Sequence, residues 1–108
     1  MKKTSRSYRE DLIRDLKDPD EAMAYLNAAL EEGDRKVFLL ALRDVAEAHG
    51  GMSRIARLAK LNRENMYRML SKRGNPGFSG LGSLLDAMGF KLAVERKSSP
   101  HPSPRSVA

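Results

Sequence analysis

The sequence predicts a mainly α domain of five to six helices with one β-strand at its C-terminal end. Leu, Ala and Met are plentiful while aromatics make up 6% of residues and Trp is absent, which favours packed helices over a β-sandwich. Apolar residues recur at helical spacing between capping residues and glycines, and one late stretch alternates instead. The chain has 108 residues, enough for one domain. A domain of this size buries only roughly 60 to 70% of the surface its unfolded chain exposes, so the core must be small.

Ser7-Tyr8-Arg9-Glu10 has capping-box spacing, and Tyr8, Leu12, Ile13 and Leu16 share a helical face, which predicts a helix over 8–17 behind a basic tail of residues 1–7. Asp18 can cap a second helix, with Pro19 at its first position, Glu21 at the positive end of its dipole, and Gly33 as its stop. Ala22, Met23, Leu26, Ala29 and Leu30 are its expected buried stripe. Asp34 can cap a third helix that runs to Ala48, with Val37, Phe38, Ala41, Leu42 and Val45 inward and Gly50-Gly51 ending it.

Between Met52 and Ser71 the pattern reads helix, tight turn, helix. Ser53 is the expected cap of the first helix, whose Ile55, Ala56 and Ala59 face inward. Lys60-Leu61-Asn62 makes the turn, with Leu61 buried. Asn62 caps the second helix, whose Met66, Met69 and Leu70 point into the core. Ala56 permits a close crossing of the two helices, where a larger side chain would wedge them apart.

Gly74-Asn75-Pro76-Gly77 is a dense turn signal, followed by a helical stripe of Phe78, Leu81, Leu84, Leu85 and Met88 that Gly89 ends. Gly80 and Gly82 weaken that helix by roughly 1 kcal/mol each relative to Ala. Phe90, Leu92 and Val94 alternate with Lys91, Ala93 and Glu95, which predicts a strand over 90–96, and a strand needs a partner for its backbone groups. The proline-containing tail 98–108 is expected to be disordered, leaving 8–97 as the folded domain.

Net charge is +6, and it is polarised along the chain. Residues 8–49 hold six basic and eleven acidic side chains, whereas 50–73 hold seven basic and one acidic. A basic block beside an acidic one points to partners of opposite sign, with polyanion binding confined to 50–73. With a helical advance of about 100° per residue, Arg63, Glu64, Tyr67, Arg68 and Ser71 fall opposite Met66 and Met69, so the second helix of the pair offers a polar face of the width a DNA major groove accepts. The block is accordingly read as a helix-turn-helix that binds double-stranded DNA.

In that reading Arg63 and Arg68 fork onto guanine, Glu64 accepts from a cytosine amino group, and Tyr67 meets a thymine methyl or a phosphate. Ser53, Arg54, Lys60, Asn62, Ser71, Lys72 and Arg73 are the expected phosphate anchors, aided by backbone N–H groups at both helix starts. Other functions lack the residues they need. There is no Cys, and His49 and His101 cannot by themselves complete a zinc site, so neither metal nor cofactor is expected. No Ser, Lys or carboxylate has a visible activating partner, which argues against an enzyme and leaves no catalytic residue to name. The six Met residues read as core filler, and His49 as a favourable charge at a helix C-terminus. The basic start leads into Tyr8-Arg9-Glu10-Asp11 and no stretch approaches ~18 apolar residues, so a soluble, cytoplasmic protein is expected, nucleoid-associated when bound to DNA.

Asp18 to Lys97 resembles the antidote family of bacterial addiction modules, a branch of the lambda-repressor-like (Xre-type) helix-turn-helix proteins. The resemblance rests on Asp18-Pro19, Ala22, Tyr25-Leu26-Asn27 and Ala29-Leu30-Glu31-Glu32-Gly33-Asp34, then on Ala41-Leu42, Asp44-Val45-Ala46 and Gly51-Met52-Ser53. It continues through Ile55-Ala56-Arg57, Leu61, Arg63-Glu64, Met66-Tyr67-Arg68, Leu70-Ser71, Gly74-Asn75-Pro76, Phe78 and Gly89. Lys60 departs from it, standing where the family's turn usually has Gly, and Gly80 and Gly82 replace expected helix formers. The resemblance implies a lambda-repressor-like domain and a type II antitoxin that neutralises a small basic toxin and, as a dimer, represses their shared operon.

The charge split fits such a role, since the acidic segment Asp11–Glu47 can cover a basic partner while Arg54–Arg73 takes DNA. A homodimer on a palindromic operator is expected on physical grounds as well: one helix reads few base pairs, and two-fold sites place half-sites about 34 Å apart. The 90–96 strand can serve either the dimer or the toxin's sheet. Two competing readings are a free-standing transcription regulator without a toxin, and a toxin inhibitor whose DNA binding is vestigial.

Overall fold

The computed structural model describes residues 5–97, which form six helices: α1 (Ser5–Asp15), α2 (Pro19–Glu32), α3 (Arg35–Ala48), α4 (Met52–Leu58), α5 (Arg63–Met69) and α6 (Phe78–Ala87). The expected disorder of 98–108 lies outside the described residues. The first helix starts earlier than the capping-box spacing indicated, so Ser7 and Glu10 fall inside it, and it ends at Asp15.

At α2 and α3 the caps work as their chemistry requires. The Asp18 carboxylate accepts from the Asp20 amide at 2.8 Å, and Asp34 accepts from the Lys36 amide at 2.9 Å, each satisfying a donor that the helix itself cannot. Gly33 ends α2 in the left-handed conformation, with φ of 75°. Three later helices close with one motif, in which a left-handed residue lets the next amide reach back five residues. Gly51 N–H donates to Ala46 O at 2.9 Å beyond α3, Leu61 N–H to Ala56 O at 2.8 Å beyond α4, and Phe90 N–H to Leu85 O at 2.8 Å beyond α6. The left-handed residues are Gly50, Lys60 and Gly89.

Helices α2 and α3 pack as a hairpin, α1 lies on α3, and α4 joins α3 to both α5 and α6. One core runs through them, with Leu39, Leu42, Val45, Ile55, Met66, Leu70 and Leu84 fully buried. Several expected core residues sit at its margin. Met23, Leu30 and Phe78 are largely exposed, and so is Tyr8. Met23 and Leu30 are two turns apart, on the flank of α2 beyond its buried Ala22, Leu26 and Ala29; Phe78 opens α6 where nothing covers it.

The C-terminal strand is not formed. Phe90 closes α6 and rests against the core and the His49 ring, whose centroid is 6.3 Å away, so it belongs to a helix end. Leu92 and Val94 are exposed, and among the described residues no strand exists to pair with 90–96. Alternation marks a residue pattern; a strand also needs a ladder for its backbone.

A polar knot that sequence periodicity did not point to ties three helices together. The Asp44 carboxylate on α3 is buried; it accepts from the Tyr25 hydroxyl of α2 at 2.7 Å and from Arg9 Nη1 of α1 at 2.9 Å. At the other end of α1, His49 Nε2 donates to the Leu16 carbonyl at 2.9 Å. Burial, then the hydrogen bond to Asp44 and its charge, push the Tyr25 hydroxyl well above its ordinary value of 10.0. Asp44→Ala therefore strands a half-buried phenol and should cost about 2 to 3 kcal/mol in urea unfolding. Arg9→Ala, whose guanidinium is half in solvent, should cost less than about 1 kcal/mol. Because Tyr25 holds its proton in the folded chain, its contribution is complete below about pH 10 and shrinks as pH rises above that, where the unfolded chain's phenol ionises. Tyr25→Phe should remove this part of the alkaline loss in a stability-against-pH series.

Candidate nucleic-acid interface

The rotation of α5 is set from inside. Met66 is completely buried and Leu70 nearly so, packed with Ile55 and Ala56 of α4, while Met69 is half-buried. The opposite face must then meet solvent, and Arg63, Glu64, Tyr67 and Arg68 all lie there. The Asn62 carboxamide fixes the start of α5 by accepting from the Asn65 amide at 2.8 Å.

The turn between α4 and α5 spans 59–62. Lys60 adopts the left-handed conformation usually left to Gly, with φ of 58°, and keeps its side chain exposed. Leu61 is half-buried, less enclosed than its apolar character indicated, because the turn carries it to the edge of the core. The cap of α4 also differs from expectation. Gly51 occupies the cap position with no side-chain hydrogen bond, and Ser53 lies within the helix, exposed.

All seven basic residues of 50–73 are exposed, and among the described residues none of them enters an ion pair. Their positions form distinct groups. The Arg63 guanidinium lies 5.5 Å from the centre of the Tyr67 ring, one turn along α5. Arg54 bends back over Gly50, where an added Cβ would overlap its side-chain stem. Lys72 stands in the loop after α5.

Arg68, Ser71 and Arg73 come together around an open cleft of about 460 Å³ beside α5. Two residues that the sequence reading did not single out join them there, Asn65 and Asn75. Arg68 Nη1 donates to Asn65 Oδ1 at 3.2 Å, and the Ser71 hydroxyl donates to the Arg68 carbonyl at 2.9 Å. The Ser71 proton is thereby committed within the chain, so Ser71 ties down the end of α5 instead of reaching outward. Asn65 carries a readable signal in hindsight, because it stands one turn before Arg68 on the outward face. Asn75 carries none, since only the loop's path brings it to the cleft.

Gly74 holds that path. It is buried, and a Cβ there would overlap the Met69 carbonyl oxygen, so the loop passes directly against the backbone of α5. Pro76 and Gly77 then lead into α6, where Gly80 faces the Met69 methyl at a distance of 3.2 Å from its would-be Cβ.

These features define a small helical protein with a buried apolar seam and a predominantly cationic face on one helix pair. The family described as "Probable addiction module antidote protein" matches residues 7–96, and the chain belongs to that family. A protein of Haemophilus influenzae described as "Uncharacterized protein" is 36% identical over 86 residues, covering 80% of this chain and 88% of that one. No solved structure matches the chain.

Two substitutions separate the scaffold from the charges. Gly74→Ala should displace the loop and lower stability by about 1 to 3 kcal/mol in urea unfolding. Lys60→Gly should relieve the left-handed strain and raise stability by about 0.5 to 1 kcal/mol in urea unfolding, while removing one exposed cation.

Proposed function

We propose that this chain is an antitoxin that binds double-stranded DNA through α4 and α5, acting as a lambda-repressor-like helix-turn-helix, and performs no chemistry of its own. The observation that carries the reading is the rotation of α5: Met66 locked inward and Arg63, Glu64 and Tyr67 presented outward, on a surface where Glu64 is the one acid beside the seven cations of residues 50–73. A short helix with such a face can enter a major groove, while flanking cations bind the backbone.

In this reading Arg63, Glu64 and Tyr67 address base edges, and Ser53, Arg54, Lys60, Asn62, Lys72 and Arg73 surround them as backbone contacts. Membership of an antidote family supports a toxin as the second partner. The six acidic and no basic side chains between Asp18 and Asp34 supply a surface of the sign that a basic toxin requires. The small reach of one helix supports a homodimer on a palindromic site, and membership of an antidote family supports that site lying in its own operon, which it would repress. Its place of action is then the cytoplasm.

The test is a titration of the full chain against DNA from its own promoter region at several salt concentrations. If about five phosphates are neutralised, log affinity should fall with log salt at a slope of about −4.5, from roughly −0.9 per contact. Arg63→Ala should lose sequence preference, and Lys72→Ala should weaken all sequences alike. A chain that binds its promoter no better than unrelated DNA would leave inhibition of a toxin as the remaining role.

A further inference from the structure

The cleft beside α5 has a composition that base reading does not require. Asn65 and Arg68 line it from the helix, Arg73 and Asn75 from the loop, and Leu61 and Met69 add apolar surface. No carboxylate lines it, and neither guanidinium has an ion pair among the described residues. The Asn65 carbonyl oxygen already accepts from Arg68, which leaves the amide end of Asn65 with two N–H groups to donate. With the Ser71 proton committed to the Arg68 carbonyl, the remaining charged groups at the cleft are both cations and both pure donors.

A site of this kind is satisfied by an oxyanion, and its apolar portion suits the carbons attached to one. Resting on the DNA-binding reading above, we propose that the cleft seats one backbone phosphate of the bound duplex. Arg68 and Arg73 clamp that phosphate, Asn65 positions Arg68 and donates from its amide, Asn75 donates from the loop, and Leu61 and Met69 receive the adjoining deoxyribose. Arg68 thereby leaves the base-reading set. A guanidinium tied to Asn65 at 3.2 Å is held along the helix wall, whereas a guanine fork needs it extended into the groove. The seat supplies register, because a phosphate gripped from both α5 and the loop behind it fixes how far α5 enters the groove.

The experiment is a chemical double-mutant cycle on the full chain. The probe is the shortest promoter duplex that the chain protects, made with one neutral methylphosphonate at each backbone position in turn. For the parent, one substitution should weaken binding about tenfold, the scale of a lost charge-assisted hydrogen bond. That same substitution should add little to the loss already present in Arg68→Ala or Arg73→Ala, and each variant's salt slope should be shallower by about 0.9 with base preference unchanged. Asn65→Asp should weaken binding more than Asn65→Ala, since a carboxylate still holds Arg68 but repels the phosphate. A merely structural Asn65 would show the reverse order. Losses that add at every position, or an Arg68→Ala variant that relaxes base preference with its salt slope intact, would overturn the seat and leave the DNA reading standing. A parent that binds no promoter duplex would overturn both.

Discussion

The packing of Met66 and Leu70 against α4 is the constraint from which the outer surface follows. A seven-residue helix has little stability of its own, so its position depends on the apolar side chains it buries. With Met66 at zero exposure, rotating α5 by even one residue position would bring Tyr67 or Asn65 inward and expose the methionine. The turn before α5 completes the constraint. Lys60 in its left-handed conformation allows Leu61 N–H to close back on Ala56, and the Asn62 carboxamide opens the next helix two residues later. Direction and rotation of α5 are thus fixed by backbone closure, the Asn62 cap and core packing, none of which calls on the side chains of Arg63, Glu64 or Tyr67.

The acidic half of the chain is organised differently. Its one buried charge, Asp44, faces inward and holds α1 and α2 to α3, while the other carboxylates of α2 and its caps remain at the surface. A buried carboxylate is tolerated because two donors meet it, a phenol at 2.7 Å and a guanidinium at 2.9 Å. The same helices therefore carry negative charge in two roles, one fastening the bundle and one facing solvent. The acidic α2 packs on α3, and α3 in turn contacts α4 but not α5 in any substantial way.

Local chemistry was readable one residue at a time. Asp18-Pro19, Gly33-Asp34 and Asn62 mark helix ends because a cap is decided by the residue itself and two or three neighbours, and the outward set on α5 follows from helical spacing once Met66 is known to be apolar. The misread apolar residues share a cause. Met23, Leu30 and Phe78 are apolar at helical spacing, but burial requires another element opposite them. The 90–96 alternation required a strand to pair with, and Phe90 was drawn into the closure of α6 instead.

The amino-acid order alone thus determined the mainly helical class, most of the helix ends, the polarisation of charge and the outward face of α5, all consequences of short-range backbone hydrogen bonding and periodicity. Tertiary structure decided which apolar flanks are covered, that Asp44 joins Arg9 and Tyr25 across 35 and 19 residues of chain, and that Asn75 meets Asn65 and Arg68 around one cleft. Those outcomes depend on where distant segments come to rest. Two residues far apart in sequence carry no local mark of the neighbour that packing assigns them.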